Sequence, residues 1–462
     1  MCAVSLTTAR AEITRARAAQ DAEAYGHPRA VFNLVISEGF ERFAYFGVQS
    51  LLALYLVNRL LTPEAMDEAA GLSWLISALR SGGWSYSPQQ FASAVFGVYG
   101  GLVYIAPALG GLVADRLLGG IATVRLAAIS SALGCFLIAS ETLFFPGLLC
   151  VALGAGCFKS NVASQVSGLY APGDGRREPA FQLFFIAINV GVIVAPLVCG
   201  WVGTAYGWSY AFALAGVGML AGLAVYVAGE PFLPAKRRDI VAARAPEERP
   251  RLERRRLLGM LALALPISLI VLGNQQIYNA YLVWAEDAVD LSIGPFAVPT
   301  AWLVSFDTIC SLAIMMVGFK LQAMRGYRVG KADALTKISL GGFIVALSYV
   351  ALFGASLTSP APGQTNFGWL LAFHLLSGLG FAYVIPTSLA LFAQLAPAKF
   401  PASTLGLYYL QYALSNLAAG ALGGLLSSMA ATDFWAMHAL LIAASAAAIA
   451  LGAPLLRRAF AD

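Results

Sequence analysis

The amino-acid sequence predicts an all-α polytopic membrane protein of about twelve spans in two sets of six. Three observations lead there. Hydrophobic residues make up 59% of the 462 and charged residues only 11%, with a mean hydropathy of +0.74, too few charges to coat a soluble globule of this size. Apolar stretches of roughly 20 residues, the length a helix needs to cross a bilayer, recur along the chain. The lysines and arginines gather in alternate loops.

Taken in order, residues 1–29 are charged and lack the apolar core of a signal peptide, so they read as a cytoplasmic tail. The first set of spans falls near 31–57, 93–114, 121–141, 144–168, 180–203 and 208–228, within an N-terminal bundle over 30–228. The outer loop Thr62–Gln90 holds a short apolar piece, Ala69–Leu79, that is too short to span. Ser87 followed by Pro88 reads as the cap and first turn of the second span. Residues 229–257, rich in Arg and Glu with four Pro, form a cytoplasmic basic linker with no room for two further spans. The second set lies near 258–284, 297–322, 335–357, 368–394, 403–428 and 434–456, in a C-terminal bundle over 258–462.

Arg116, Arg125, Arg176, Arg177, Arg325, Arg328, Lys331, Lys399, Arg457 and Arg458 lie in alternate loops or at the chain's end. The loops between carry Arg59 and Arg80 but otherwise acids or no charge. The basic side is therefore cytoplasmic, with both termini on it. A net charge of +5 carried this way sets membrane orientation and gives no reason to expect nucleic acid. The six cysteines lie mostly in apolar runs without metal-ligand spacing, so they read as small core residues, and no metal or cofactor is expected.

The costliest stretch is Leu34–Gly47, LVISEGFERFAYFG, which puts Glu38, Glu41 and Arg42 in the middle of an apolar run. Spacings of three and four residues bring Glu38 to the face of Glu41 and Arg42, where the charges neutralise one another and point into a bundle. A packing ion pair is the plainer alternative, but two carboxylates against one guanidinium leave a surplus acid able to titrate. After the second span comes Gly110-Gly111-Leu-Val-Ala-Asp115-Arg116, whose glycines suit close backbone approach and whose Asp115 suits the positive end of a neighbouring helix. The fourth span carries GAGCFKSN, with Lys159 and Asn161. A lysine at this depth cannot easily snorkel, so Lys159 should meet an anionic substrate or a carboxylate of the first span. The fifth span runs from Phe181 through Phe185 and Asn189 to Gly191, with Pro196 after it. Asn189 offers a donor and an acceptor suited to a substrate amide, though interhelical bonding alone would also explain it.

The E-x-x-E-R-F-x-Y pattern ending at Tyr45, the Gly111, Asp115 and Arg116 loop, G-x-G-x-F-K-x-N and F-x-x-F-F-x-x-I-N-x-G together resemble the proton-coupled oligopeptide transporter family of the major facilitator superfamily. That resemblance implies a major facilitator fold, two six-helix bundles around a midplane site, working by alternating access. It implies a monomeric symporter of a bacterial inner membrane, whose partners are protons, lipid and di- or tripeptides or related small carboxylates. Glu38, Glu41 and Arg42 would then couple protons. Substrate would meet Arg42, Tyr45, Tyr104, Lys159, Asn161, Asn189, Gln276, Phe381 and Tyr408, and the loop motif would change contacts as the bundles rock.

Four positions depart from the family pattern. Phe185 replaces a tyrosine, Gln275 an acid, Phe381 the glutamate that usually meets a peptide amino terminus, and Tyr408 a tryptophan of the aromatic wall. These departures keep open a second transport reading, a relative moving a non-peptide anionic or amphipathic metabolite in either direction. A membrane-embedded enzyme or signalling protein is the reading from another class, and the sequence offers neither a nucleophile paired with a base nor an appended soluble domain. His374 and His438, each alone in an apolar run, are expected to be packed and hydrogen-bonded.

Overall fold

Long apolar runs become long helices because a bilayer offers no water to satisfy backbone N–H and C=O groups, which must then bond within the segment. In the computed structural model, which describes residues 23–62, 65, 71–81, 87–171, 174–234, 250–325, 331–359, 361–395 and 401–460, helices account for most of the described residues. Residues 1–22 of the expected tail and 235–249 of the expected linker lie outside the described residues.

The first half contains α1 (Arg29–Tyr55), α2 (Leu72–Ser81), α3 (Pro88–Val113), α4 (Gly120–Ile138), α5 (Phe144–Gly168), α6 (Arg177–Tyr206) and α7 (Trp208–Gly229). The second contains α8 (Pro250–Gln276), α9 (Ala280–Ala288), α10 (Trp302–Arg325), α11 (Lys331–Thr358), α12 (Phe367–Leu395), α13 (Pro401–Gly423) and α14 (Ala431–Phe460). Among the described residues, nine stretches are long and apolar enough to cross a membrane, and Trp302–Gly318 is a shorter apolar one. The 27-residue α1 stands outside that group, being the helix that carries Glu38, Glu41 and Arg42. The short apolar piece of the loop after the first span is the 10-residue α2. Single π-helical turns follow α1 (Leu56–Leu60) and α3 (Ala114–Leu118).

One feature of the helices differs from the sequence expectation. The seventh span is broken at 277–279, so that α9 starts as a separate helix after Asn279. The start of α3, by contrast, is as expected from Ser87 and Pro88. The Ser87 hydroxyl accepts from the Gln90 backbone N–H (3.2 Å), the Gln90 side-chain oxygen accepts from the Ser87 N–H (2.9 Å), and Pro88 occupies the position that needs no donor.

Contacts group the described residues into two compact units, those of Met1–Val48 with Ile105–Ala243 and those of Gln49–Tyr104 with Arg244–Asp462. In the first, α4 packs on α5 and α7, and α6 on α7. Its core includes Leu34 of α1, Val124 of α4, Phe158 of α5, Phe184 of α6 and Met219 of α7. α1 lies directly on α6: a Cβ added at Gly191 would stand 2.7 Å from both the Arg42 Cβ and the Gly39 carbonyl oxygen, so only glycine allows this approach. In the second unit, α11 packs on α12 and α14, α8 on α13 and α14, and α10 on α12. The N-terminal half of α3 meets α13 through bare backbone, where a Cβ at Gly97 would lie 2.7 Å from the Gly420 Cα.

Candidate functional site

The close α1–α6 contact fixes where the buried charges of α1 stand. Arg42 Nε lies 3.2 Å from Glu38 Oε1, and Arg42 Nη2 is in direct contact with Glu41 Oε2, all three side chains being at most 5% exposed. Lys159, half-buried on α5, is near enough to act electrostatically on Glu38, Glu41 and Arg42. The four residues sequence reasoning picked from two distant motifs are thus brought together as two carboxylates against two cations. At 3.2 Å and an effective dielectric constant of about 20, one such attraction is worth roughly 5 kcal/mol, while removing each ion from water costs several kcal/mol. The two terms are of comparable size.

Tyr45 closes the α1 motif with its ring 5.5 Å from the Arg42 guanidinium carbon, a cation–π contact that holds the arginine in place. Asn161 and Asn189 both turn their amide N–H back onto their own helices, to Cys157 O and Phe185 O at 2.8 Å each, which leaves their carbonyl oxygens for other partners. Phe185 is 45% exposed. In the loop motif, Gly111 faces open space, and the glycine that permits close approach is Gly110, whose added Cβ would meet the Cys157 Cα at 2.6 Å. Asp115 and Arg116 are exposed on the π-helical turn.

The second unit holds the other predicted residues. Tyr104 stacks on Tyr412 with ring centroids 4.9 Å apart, and Tyr412 meets Tyr408 edge-on at 5.8 Å. The Tyr408 hydroxyl donates to Ile385 O at 3.3 Å. Phe381 is buried on α12. Gln276 is fully buried and spent on packing: its amide donates to Ala419 O (3.2 Å) and to His438 Nε2 (3.0 Å), and its oxygen accepts from Asn279 (3.2 Å). His438 gives its other ring N–H to Phe434 O at 2.9 Å, so this histidine is packed and hydrogen-bonded as its isolation in the sequence suggested.

His374 is also buried, but its partners include a residue the sequence reading passed over. Its Nδ1 lies 2.8 Å from Asp307 Oδ1 on α10, and its Nε2 lies 2.8 Å from the Tyr281 hydroxyl on α9. The signal was present: Asp307 is an acid inside an apolar run, the same anomaly that singled out Glu38.

A model of the POT family (PTR2) matches residues 117–245 and 237–438. The chain is 27% identical over 473 residues to the peptide transporter YePEPT of Yersinia enterocolitica, covering 87% of this chain and 88% of that one. It is 25% identical over 452 residues to a di-/tripeptide transporter of Lactococcus lactis subsp. cremoris, covering 84% and 87%. Among solved structures, a peptide transporter POT in complex with sulfate superposes with a TM-score of 0.82 at 22% identity over 96% of this chain and 99% of the other. A POT family transporter in complex with 5-aminolevulinic acid superposes with a TM-score of 0.78 at 18% identity, over 94% and 98%. The fold is that of the major facilitator superfamily.

Proposed function

The chain belongs to the POT family, and on that premise we propose that it is a proton-coupled symporter importing di- or tripeptides or related small carboxylates by alternating access. The observation that carries this reading is the buried cluster of Glu38, Glu41 and Arg42 within electrostatic range of Lys159. With all four ionised the cluster is neutral. A proton on Glu41 or Glu38 leaves one positive charge in excess on Arg42 and Lys159, and a substrate carboxylate supplies the opposite charge. Proton and substrate are each costly to bury alone and are balanced together, which is the basis of coupling.

As a carrier the protein returns its substrate unchanged and needs neither catalytic residue nor cofactor. It acts as a monomer in a bacterial inner membrane, with its basic loops and both termini cytoplasmic, as two bundles over 30–228 and 258–462 joined by the basic segment 229–257. Gln275 and Phe381, in place of two acids of the family pattern, favour a second reading in which the substrate is a non-peptide anionic or amphipathic metabolite. Uptake into proteoliposomes from a panel of free and amino-blocked small peptides tests the first reading. Accumulation of a peptide that requires an imposed pH gradient supports it, and a panel that is neither taken up nor competes sinks it.

A further inference from the structure

Buried in the second unit, Asp307, His374 and Tyr281 form a chain across three helices, with 2.8 Å at each link. His374 is wholly inaccessible and the Asp307 side chain only 8% exposed. Phe306 and Phe373 pack edge-on against the imidazole at 5.3 and 5.0 Å, and Tyr281 lies over Phe373 at 5.0 Å. The other titratable groups facing this chain are Tyr278 at the helix break, Tyr349 on α11 and Cys310 one turn along α10, each within electrostatic range of Asp307. On α14, His438 stacks on Tyr349 at 5.7 Å and is committed to Gln276 and Phe434. Among the described residues no lysine or arginine pairs with Asp307.

With Asp307 ionised and His374 neutral, the chain holds one negative charge without a cation. With one proton added, on either residue, it is neutral and keeps both hydrogen bonds, because Tyr281 Oη can donate to a neutral imidazole or accept from a protonated one. Such a constellation has two protonation states that fit the same geometry.

Its third member belongs to the segment that ties the unit's other elements together. Asn279, at the break before α9, accepts from Ser93 of α3 (3.1 Å) and donates to Ala419 O of α13 (3.1 Å). Glu286, near the end of α9, accepts from Asn58 beyond α1 (2.5 Å). Trp284, one turn on from Tyr281, lines a cavity of about 640 Å³ with Gln89, Asp287 and Thr365. Movement of α9 away from these contacts would shift Tyr281 from the imidazole and open the chain to solvent.

We propose that Asp307, His374 and Tyr281 form a second proton-binding site, whose protonation is linked to the seating of α9 against the ends of α1 and α3. Excluding water penalises the charged chain more than the neutral one, so seating α9 and binding the proton favour each other, and by reciprocity each strengthens the other equally. Acid therefore seats α9, and alkali loosens it. Its role in transport rests on the proton-coupled reading, but the linkage itself does not.

Hydrogen–deuterium exchange of residues 280–288 in the full-length protein in nanodiscs, corrected for the intrinsic pH dependence of amide exchange, tests it. In the unmodified protein the protection of α9 rises as pH falls, approaching tenfold per pH unit for one linked proton. Asp307→Asn flattens that dependence. A purely structural role would lower protection equally at every pH and leave the slope intact, which would overturn the proposal. Should Asp307→Asn not fold, His374→Gln retains the carboxylate without the imidazole and changes the pH dependence of α9 protection; an unchanged profile overturns the proposal as well. A flat profile in the unmodified protein that still accumulates substrate removes this site and leaves the symport reading standing. A sloped profile without any gradient-driven uptake does the reverse.

Discussion

Replacing Glu41 by Gln removes one of the four charges of the buried cluster while keeping the side chain's size and its capacity to hydrogen-bond. Arg42 retains Glu38 at 3.2 Å, and Lys159 stays in range, so the variant holds one carboxylate against two cations. That is permanently the charge state of the protonated wild type, so substrate binding and exchange survive while the proton that drives accumulation has no site. With the membrane potential clamped at zero, one coupled proton across a pH gradient of one unit stores about 1.4 kcal/mol, an accumulation of at most about tenfold. Glu41→Gln should instead level off at equal concentrations inside and out, yet still exchange labelled for unlabelled substrate in counterflow. Both are measured in the same proteoliposomes, the first with an imposed acid-outside gradient and the second without one. If the variant concentrates substrate as the wild type does, Glu41 is not the coupling acid, and Glu38 is the residue to test next.

Three further outcomes follow from the same geometry. Lys159→Ala leaves two carboxylates against one guanidinium and should weaken substrate binding by about 2 kcal/mol or more, roughly thirtyfold, with the protein still eluting as a folded species; unchanged uptake would reduce the lysine to packing. Gly191→Val places a Cβ 2.7 Å from the Arg42 Cβ and should lower stability by about 1–3 kcal/mol, read as a drop in melting temperature, whereas an unshifted melting curve would mean that α1 and α6 do not meet as closely as described. Amino-acetylated ligands should compete within about tenfold of free peptides, because Phe381 cannot supply the charge-assisted hydrogen bond to a free ammonium group that an acid there would, a bond worth about 1.5–3 kcal/mol. Free dipeptides winning by a thousandfold in competition titrations would show another residue holding the amino terminus.

The sequence by itself determined the membrane class, the order of the apolar helices and the identity of the α1 charges. Each of these follows from a cost paid locally: a run of apolar residues long enough to cross lipid must be helical, and Glu38, Glu41 and Arg42 are separated by three and four residues on one helix, so their meeting needs no long-range information. The Ser87 cap was legible for the same reason. Tertiary structure decided what depends on which helix lies beside which. It brought Lys159 within range of α1 from another helix, spent Gln276 on packing with His438, and showed that Gly110 and not Gly111 needs to be bare. It also turned His374 from a lone histidine into the centre of a chain with Asp307 and Tyr281, residues 67 and 93 positions away. No periodicity links positions so far apart; only the packing of α9, α10 and α12 places the acid, the imidazole and the phenol within hydrogen-bond reach.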